Sequence, residues 1–287
     1  MSRIRRGWEL TKKSWALLRE HPQLIRFPLY GAVAMTLLAI VTLGPGLYLF
    51  EEDVLAGAIP LVVLGVYLLS VVGVYFSVGL AAAADMIFRG QEADVSDGLA
   101  VARSRFSQIC GWAAISTAIS LLMGLLENQG GIGGQIAARV VGMAWSLVTF
   151  LAVPVIAIEG PGAVGALKRS ASIFRERWGQ QITGNLAIGG AIFLFGVLPG
   201  AALVVLGVLV WSSAAFAGAL LVIVGALILA VALLVQKALS GIFGVALYRY
   251  ALEGQAVGGF SAEELESAVK TKKGGRNAPP TATPGTV

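Results

Sequence analysis

Four polar residues lie inside or at the edge of long apolar runs: Asp85, Glu159, Asn185 and Lys237. Charged and amide side chains at membrane depth are costly, so they mark ion or proton paths, substrate sites or bonds between helices. Each also has a structural reading. Asp85 stands four residues before Arg89, a spacing that pairs them on one helix face at the membrane edge. Glu159 closes an apolar run, where a Lys or Arg of a neighbouring unit would meet it. Asn185 suits a hydrogen bond between helices, and Lys237 a cation that snorkels from the end of a span. Were that span to continue to Tyr250, Lys237 would be deep and Glu159 would be its partner.

Gly160, Gly162 and Gly165 imitate the G-x-G-x-x-G phosphate cradle of dinucleotide-binding folds. That cradle needs a short strand before it and an acidic residue about 20 positions on. Here a membrane-length apolar run precedes the glycines and a cationic helix follows, so the triplet reads as a tight membrane-exit turn. One histidine (His21) excludes a His-based metal cluster, and one cysteine (Cys110) excludes an intrachain disulfide. No Ser/His/Asp set or Cys/His pair has nucleophile spacing. No cofactor and no enzymatic activity are expected.

The elements that must position these residues are helices in a bilayer. The 287 residues are 57% hydrophobic and 13% charged, about half the charge a soluble domain carries. Mean hydropathy is +0.82. The expected fold is an all-α integral membrane protein with six spans: 27–50, 54–84, 109–126, 135–158, 180–210 and 216–236. Residues 237–252, with Tyr248-Arg249-Tyr250, read as an interfacial exit. Residues 1–265 form one membrane domain, and 266–287 a disordered cytoplasmic tail. The first span follows about 26 residues, too many for a cleavable signal, and reads as an uncleaved anchor.

Three basic helices precede apolar pairs. The first, 3–20, aligns Ile4, Trp8, Thr11, Trp15 and Leu18 beside Arg5, Lys12 and Arg19. The second, capped by Ser96, aligns Val95, Leu99, Ala102, Phe106 and Ile109 beside Arg103. The third, opened by Pro161, aligns Val164, Leu167, Ala171, Phe174 and Trp178 among Lys168, Arg169, Arg175 and Arg177. An apolar stripe flanked by cations suits a phospholipid headgroup layer, and the named cations are the expected headgroup contacts. Lys12-Lys13-Ser14 matches Lys168-Arg169-Ser170, with Arg103-Ser104 a shorter echo. These matches imply a threefold parallel repeat of basic helix plus two spans, with units 3–85, 95–158 and 161–252.

Net charge is +5, and of the 21 Lys and Arg only Arg139 falls on the outer side. The positive-inside rule then places both termini in the cytoplasm of a cell-membrane protein. The cations lie where anionic inner-leaflet lipid waits, which displaces nucleic acid as the partner. A protein partner or a homo-oligomer remains open.

The residues resemble a family of prokaryotic multi-pass membrane proteins known only as a domain of unknown function. The likeness rests on Arg6-Gly7-Trp8, Asp97-Gly98-Leu99, and Trp145-Ser146-Leu147 running through Thr149-Phe150 to Val153-Pro154. It continues in Glu159-Gly160, Lys168-Arg169-Ser170, and Leu239-Ser240-Gly241-Ile242 ending in Tyr248-Arg249-Tyr250. A looser similarity links the basic helix before a membrane hairpin to the membrane domain of some glycerophosphodiester phosphodiesterases. No catalytic phosphodiesterase residues accompany it. The resemblance implies the membrane fold and no reaction. The expected role is a scaffold, assembly or lipid-organising protein, with a small-solute or ion transporter or channel as the alternative.

Overall fold

The structure, a computed structural model, describes residues 3–265 apart from 130, 132–133, 136–137, 139–140, 143–144, 147–148, 179–195, 213, 255 and 263–264; of 3–11, 128–129 and 177–178 it describes the backbone only. Nine α-helices are defined among the described residues, and no strand. They are α1 (Arg3–Glu20), α2 (Arg26–Glu51), α3 (Leu55–Phe88), α4 (Val95–Ser104), α5 (Phe106–Gln129), α6 (Ala152–Ile158), α7 (Ala163–Trp178), α8 (Leu198–Val210) and α9 (Ala215–Glu253). A 3-10 turn, Pro22–Ile25, joins α1 to α2.

Four helices are long and apolar enough to cross a membrane: Pro22–Glu51, Leu55–Phe88, Phe106–Glu127 and Ala215–Glu253. Three carry the first three expected spans. The fourth expected span meets a turn at Phe150–Leu151 before α6, and much of it lies outside the described residues. Of the fifth, α8 supplies the second half, and 180–195 lie outside the described residues. The helix that carries the sixth does not end at 236. The span is the first part of α9, which runs unbroken to Glu253, so residues 237–252 continue the same helix. No proline interrupts Ala238–Glu253, and the helix stops where Gly254, at φ 70°, donates its N–H to the Tyr250 carbonyl.

Two starts also differ from expectation. α4 begins at Val95 after an Asp94 cap, one turn fixed by the Asp94 N–H bonding the Asp97 carboxylate at 2.8 Å; Ser96 is already inside. Pro161 lies outside α7, whose first bond runs from the Ala166 N–H to the Gly162 carbonyl.

The long helices pair as antiparallel hairpins through small residues. In α8–α9, Gly200 and Gly207 meet Gly225 and Gly218; a Cβ at Gly218 would sit 2.7 Å from the Gly207 carbonyl oxygen. The glycines recur at seven residues on both helices, a seam that lets backbones touch. In α2–α3, a Cβ at Gly46 would reach the Val62 side chain at 2.8 Å, and one at Gly65 the Thr42 hydroxyl at 2.8 Å. Outside these seams the hairpins are bare: Leu37, Val41, Val205, Leu209, Phe216, Leu227 and Val231 are all exposed.

The other end is packed. Leu24 and Phe27, Val78 to Asp85, Leu151 to Ala157 and Ala238 to Tyr250 form its core with few breaks. The three basic helices wall this core with small or aliphatic residues: Ser14 and Leu18 of α1, Gly98 and Ala102 of α4, and Ala166, Ser170 and Ile173 of α7. The expected stripes are therefore split between core and exterior, with Leu18 and Ile109 among the members turned inward. Trp15, Phe106 and Val164 point outward, at 38%, 52% and 55% exposure, while Ala102 and Phe174 point in. The expectation placed apolar stripes on lipid; protein covers much of them instead, because neighbouring helix ends offer a closer-packed apolar surface.

Candidate functional site

Asp85 occupies the last full turn of α3 and is 7% exposed. An isolated carboxylate there would lose its hydration, so the site must supply cations. Arg249, near the end of α9 and equally buried, donates its Nε–H to Asp85 Oδ1 at 2.6 Å. Arg89 meets Oδ2 at 3.0 Å from the next turn of α3, the pairing expected from the spacing. Glu253, four residues on from Arg249, approaches its Nη1 at 3.6 Å.

A second acidic centre lies one residue along α9. The Tyr248 hydroxyl donates to Glu159 Oε1 at 2.7 Å. Arg169 Nε, from α7, bonds both oxygens of the same carboxylate at 3.0 and 3.2 Å. That hydrogen bond, ahead of any other cause, holds the Arg169 guanidinium above its ordinary pKa. Three carboxylates thus face three guanidiniums and a phenol, and they join α3, the α6–α7 turn and α9. Charge-assisted bonds are short and geometrically demanding, so such a set fixes how the helix ends dock. All its acids are engaged. What this arrangement does best is fasten.

Gly160 makes the turn after Glu159 possible. Its φ is +71°, and its Cα packs against the Arg105 guanidinium where a Cβ would collide. Gln108 donates to the Gly160 carbonyl at 3.4 Å, tying the turn to α5. Helix α6, rather than a strand, precedes the glycine triplet, so the setting of a dinucleotide cradle is missing.

The sequence-predicted residues divide as follows. Asp85 and Glu159 enter the two centres, and Arg169 is drawn to Glu159 rather than left wholly for lipid. Lys237 does not pair with Glu159; it is exposed on α9. Asn185 and Arg139 lie outside the described residues, as do the side chains of Arg5 and Arg177. Lys12, Arg19, Arg103, Lys168 and Arg175 are exposed, with Arg19 5.5 Å from the centre of the Trp15 ring. Sequence reasoning missed Arg249 and Tyr248 as partners. The available signal was an arginine flanked by tyrosines in an apolar helix, with Glu253 one turn later. It also passed over Gly207, Gly218 and Gly225.

An open groove of about 800 Å³ at the packed end is lined by His21, Gln23, Glu92, Asp94 and Asp97 among others. No group of three or more His, Cys, Asp or Glu poised for a metal occurs among the described residues.

Residues 57–259 match a family of unknown function, DUF6159, and the chain belongs to that family. No curated protein matches it.

Proposed function

We propose that the protein is a non-enzymatic scaffold or lipid-organising element of the cytoplasmic membrane. The observation that carries this reading is the closed charge set. Asp85 is bound by Arg249 and Arg89, and Glu159 by Tyr248 and Arg169, so the buried polar groups fasten helices instead of awaiting a solute. Exposed Lys12, Arg19, Arg103, Lys168 and Arg175 surround that fastening and fit anionic inner-leaflet lipid. In this reading six spans repeat threefold, both termini are cytoplasmic, and a protein partner or second copy docks on the assembled unit. Nucleic acid is not a partner.

Two experiments test the proposal. Crosslinking with mass spectrometry in native membranes should recover ordered lipid or one stable partner; a clean monomer with neither overturns it. In a Cys110→Ala background, single cysteines at 159, 185 and 237 are treated with an impermeant thiol reagent from each side. Labelling at 159 and 237 only from the cytoplasmic side supports a dry bundle. Labelling at 185 exposes a water-filled path and favours a transporter.

A further inference from the structure

Two exposed cations lie on the long apolar helices themselves rather than on the basic helices. Arg26 opens α2 and Lys237 lies in α9; both are exposed, and neither side chain has a salt-bridge partner among the described residues. They sit on different hairpins, so their common level can be measured along two independent helices.

At the hairpin tips, exposed aromatics mark one border. Tyr48 and Phe50 end α2, Trp211 follows α8, and Phe216 opens α9, at 61%, 47%, 51% and 85% exposure. Amphipathic rings of this kind collect at the bilayer–water boundary. From Phe216 to Lys237 is about 22 residues, or roughly 33 Å of helix. From Phe50 back to Arg26 is about 25 residues, or roughly 37 Å, with Tyr30 one turn nearer the tip. The first matches a hydrocarbon core of about 30 Å, and the second passes it by about one helical turn, into the headgroup layer. Tyr30, 45% exposed, lies on the same face as Arg26 one turn away. Leu233 and Ala230 continue the exposed face of Lys237 toward the tip. Beyond the same level, burial of α3 and α9 becomes nearly continuous, at Val78 and Ala238.

We infer that Arg26 and Lys237 form the inner phosphate-level belt of this protein, that they bind the phosphates of anionic phospholipids, and that the Asp85–Arg249 centre stands outside the hydrocarbon. Along the helices, Asp85 lies about 10 Å past Val78 and Arg249 about 18 Å past Lys237. Helix tilt shortens these heights but leaves both on the aqueous side. The carboxylates and guanidiniums of the centre therefore never enter the hydrocarbon core, where they would be most expensive. The inference rests on the chain spanning a bilayer and does not need the scaffold role, so crosslinking can fail while the belt survives.

The test uses the full chain in bilayers, in the Cys110→Ala background. Nitroxides at 26, 227 and 237 report depth through their accessibility to oxygen and to a nickel chelate. Positions 26 and 237 are expected at headgroup level, within about one helical turn of each other in depth, with 227 at the bilayer centre. A label at 237 as deep as 227 overturns the belt. In a second arm, association of spin-labelled phosphatidylglycerol and phosphatidylcholine is compared for the native chain, Arg26→Gln, Lys237→Gln and Lys237→Arg. Each glutamine lowers the preference for phosphatidylglycerol about fivefold, and the arginine keeps it. Millimolar inorganic phosphate does not compete, which separates lipid from free anion. Unchanged preference in a double glutamine variant, or full displacement by phosphate, overturns the assignment.

Discussion

Residues 215–236 and 238–250 belong to one unbroken helix, yet they are packed in opposite ways. In the first half only Gly218, Gly225 and Ala232 are buried, a seven-residue seam against α8, and Phe216, Ile223, Leu227 and Val231 are bare. In the second half every residue from Ile242 to Tyr250 is buried. The second half is the less apolar, ending in Tyr248, Arg249 and Tyr250, yet it is the more deeply buried. This contrast fits a difference of surroundings. A lipid-facing segment needs close backbone approach only where it meets another helix, whereas a protein-facing segment is enclosed on all sides and can hold an arginine if an acid comes with it.

The largest break in that comparison should come from Arg249. Arg249→Leu leaves Asp85 buried beside Arg89 alone, and removing one partner of a buried pair costs about 3–5 kcal/mol. Reversible unfolding in bicelles would read the loss; a change below about 1 kcal/mol would mean the centre is solvated. Next comes the same truncation in both halves. Leu247→Ala, at a fully buried position, should cost about 2–5 kcal/mol. Leu227→Ala, at 61% exposure, should lie within about 0.5 kcal/mol, because lipid refills the space. Equal losses would show that some helix covers Leu227.

Gly225→Val should cost about 1–3 kcal/mol, since its Cβ would lie 2.8 Å from the Gly200 carbonyl oxygen. A cysteine pair across the α8–α9 seam would then crosslink less, while docking of the packed end stays intact. Gly160→Ala should cost about 1–2 kcal/mol through its positive φ and the Arg105 contact. Its signature is loosening of the α6–α7 turn, read as faster amide exchange at Glu159 and Ala163, with the hairpins unaffected.

Much of this architecture is legible in the residues. The apolar runs around α2, α3 and α5, the breaks at Glu51–Asp53 and after Phe88, and the Asp85–Arg89 spacing follow from hydropathy and helix geometry. The continuation of α9 past Lys237 does not, because the segment from Ala238 has no breaker and reads as membrane or as buried core with equal ease. The Arg249–Asp85 bond spans 164 positions, and no local pattern encodes a partner so remote. The basic helices show a different failure. Helical periodicity finds an apolar side, but whether protein or lipid covers it depends on neighbouring helix ends. Trp15 and Val164, expected in the stripes, point outward, while small Ser14 and Ala166 allow close packing.

The most direct measurement is a double-mutant cycle on Asp85→Asn and Arg249→Gln, with unfolding free energy measured in bilayers or bicelles. If the packed end is fastened by this pair, each single variant is destabilised by several kcal/mol and the double variant recovers part of the loss, giving a coupling of about 2–3 kcal/mol. Purely additive losses, with coupling near zero, would contradict the account: the two groups would then be independent, and the packed end held by its apolar contacts alone.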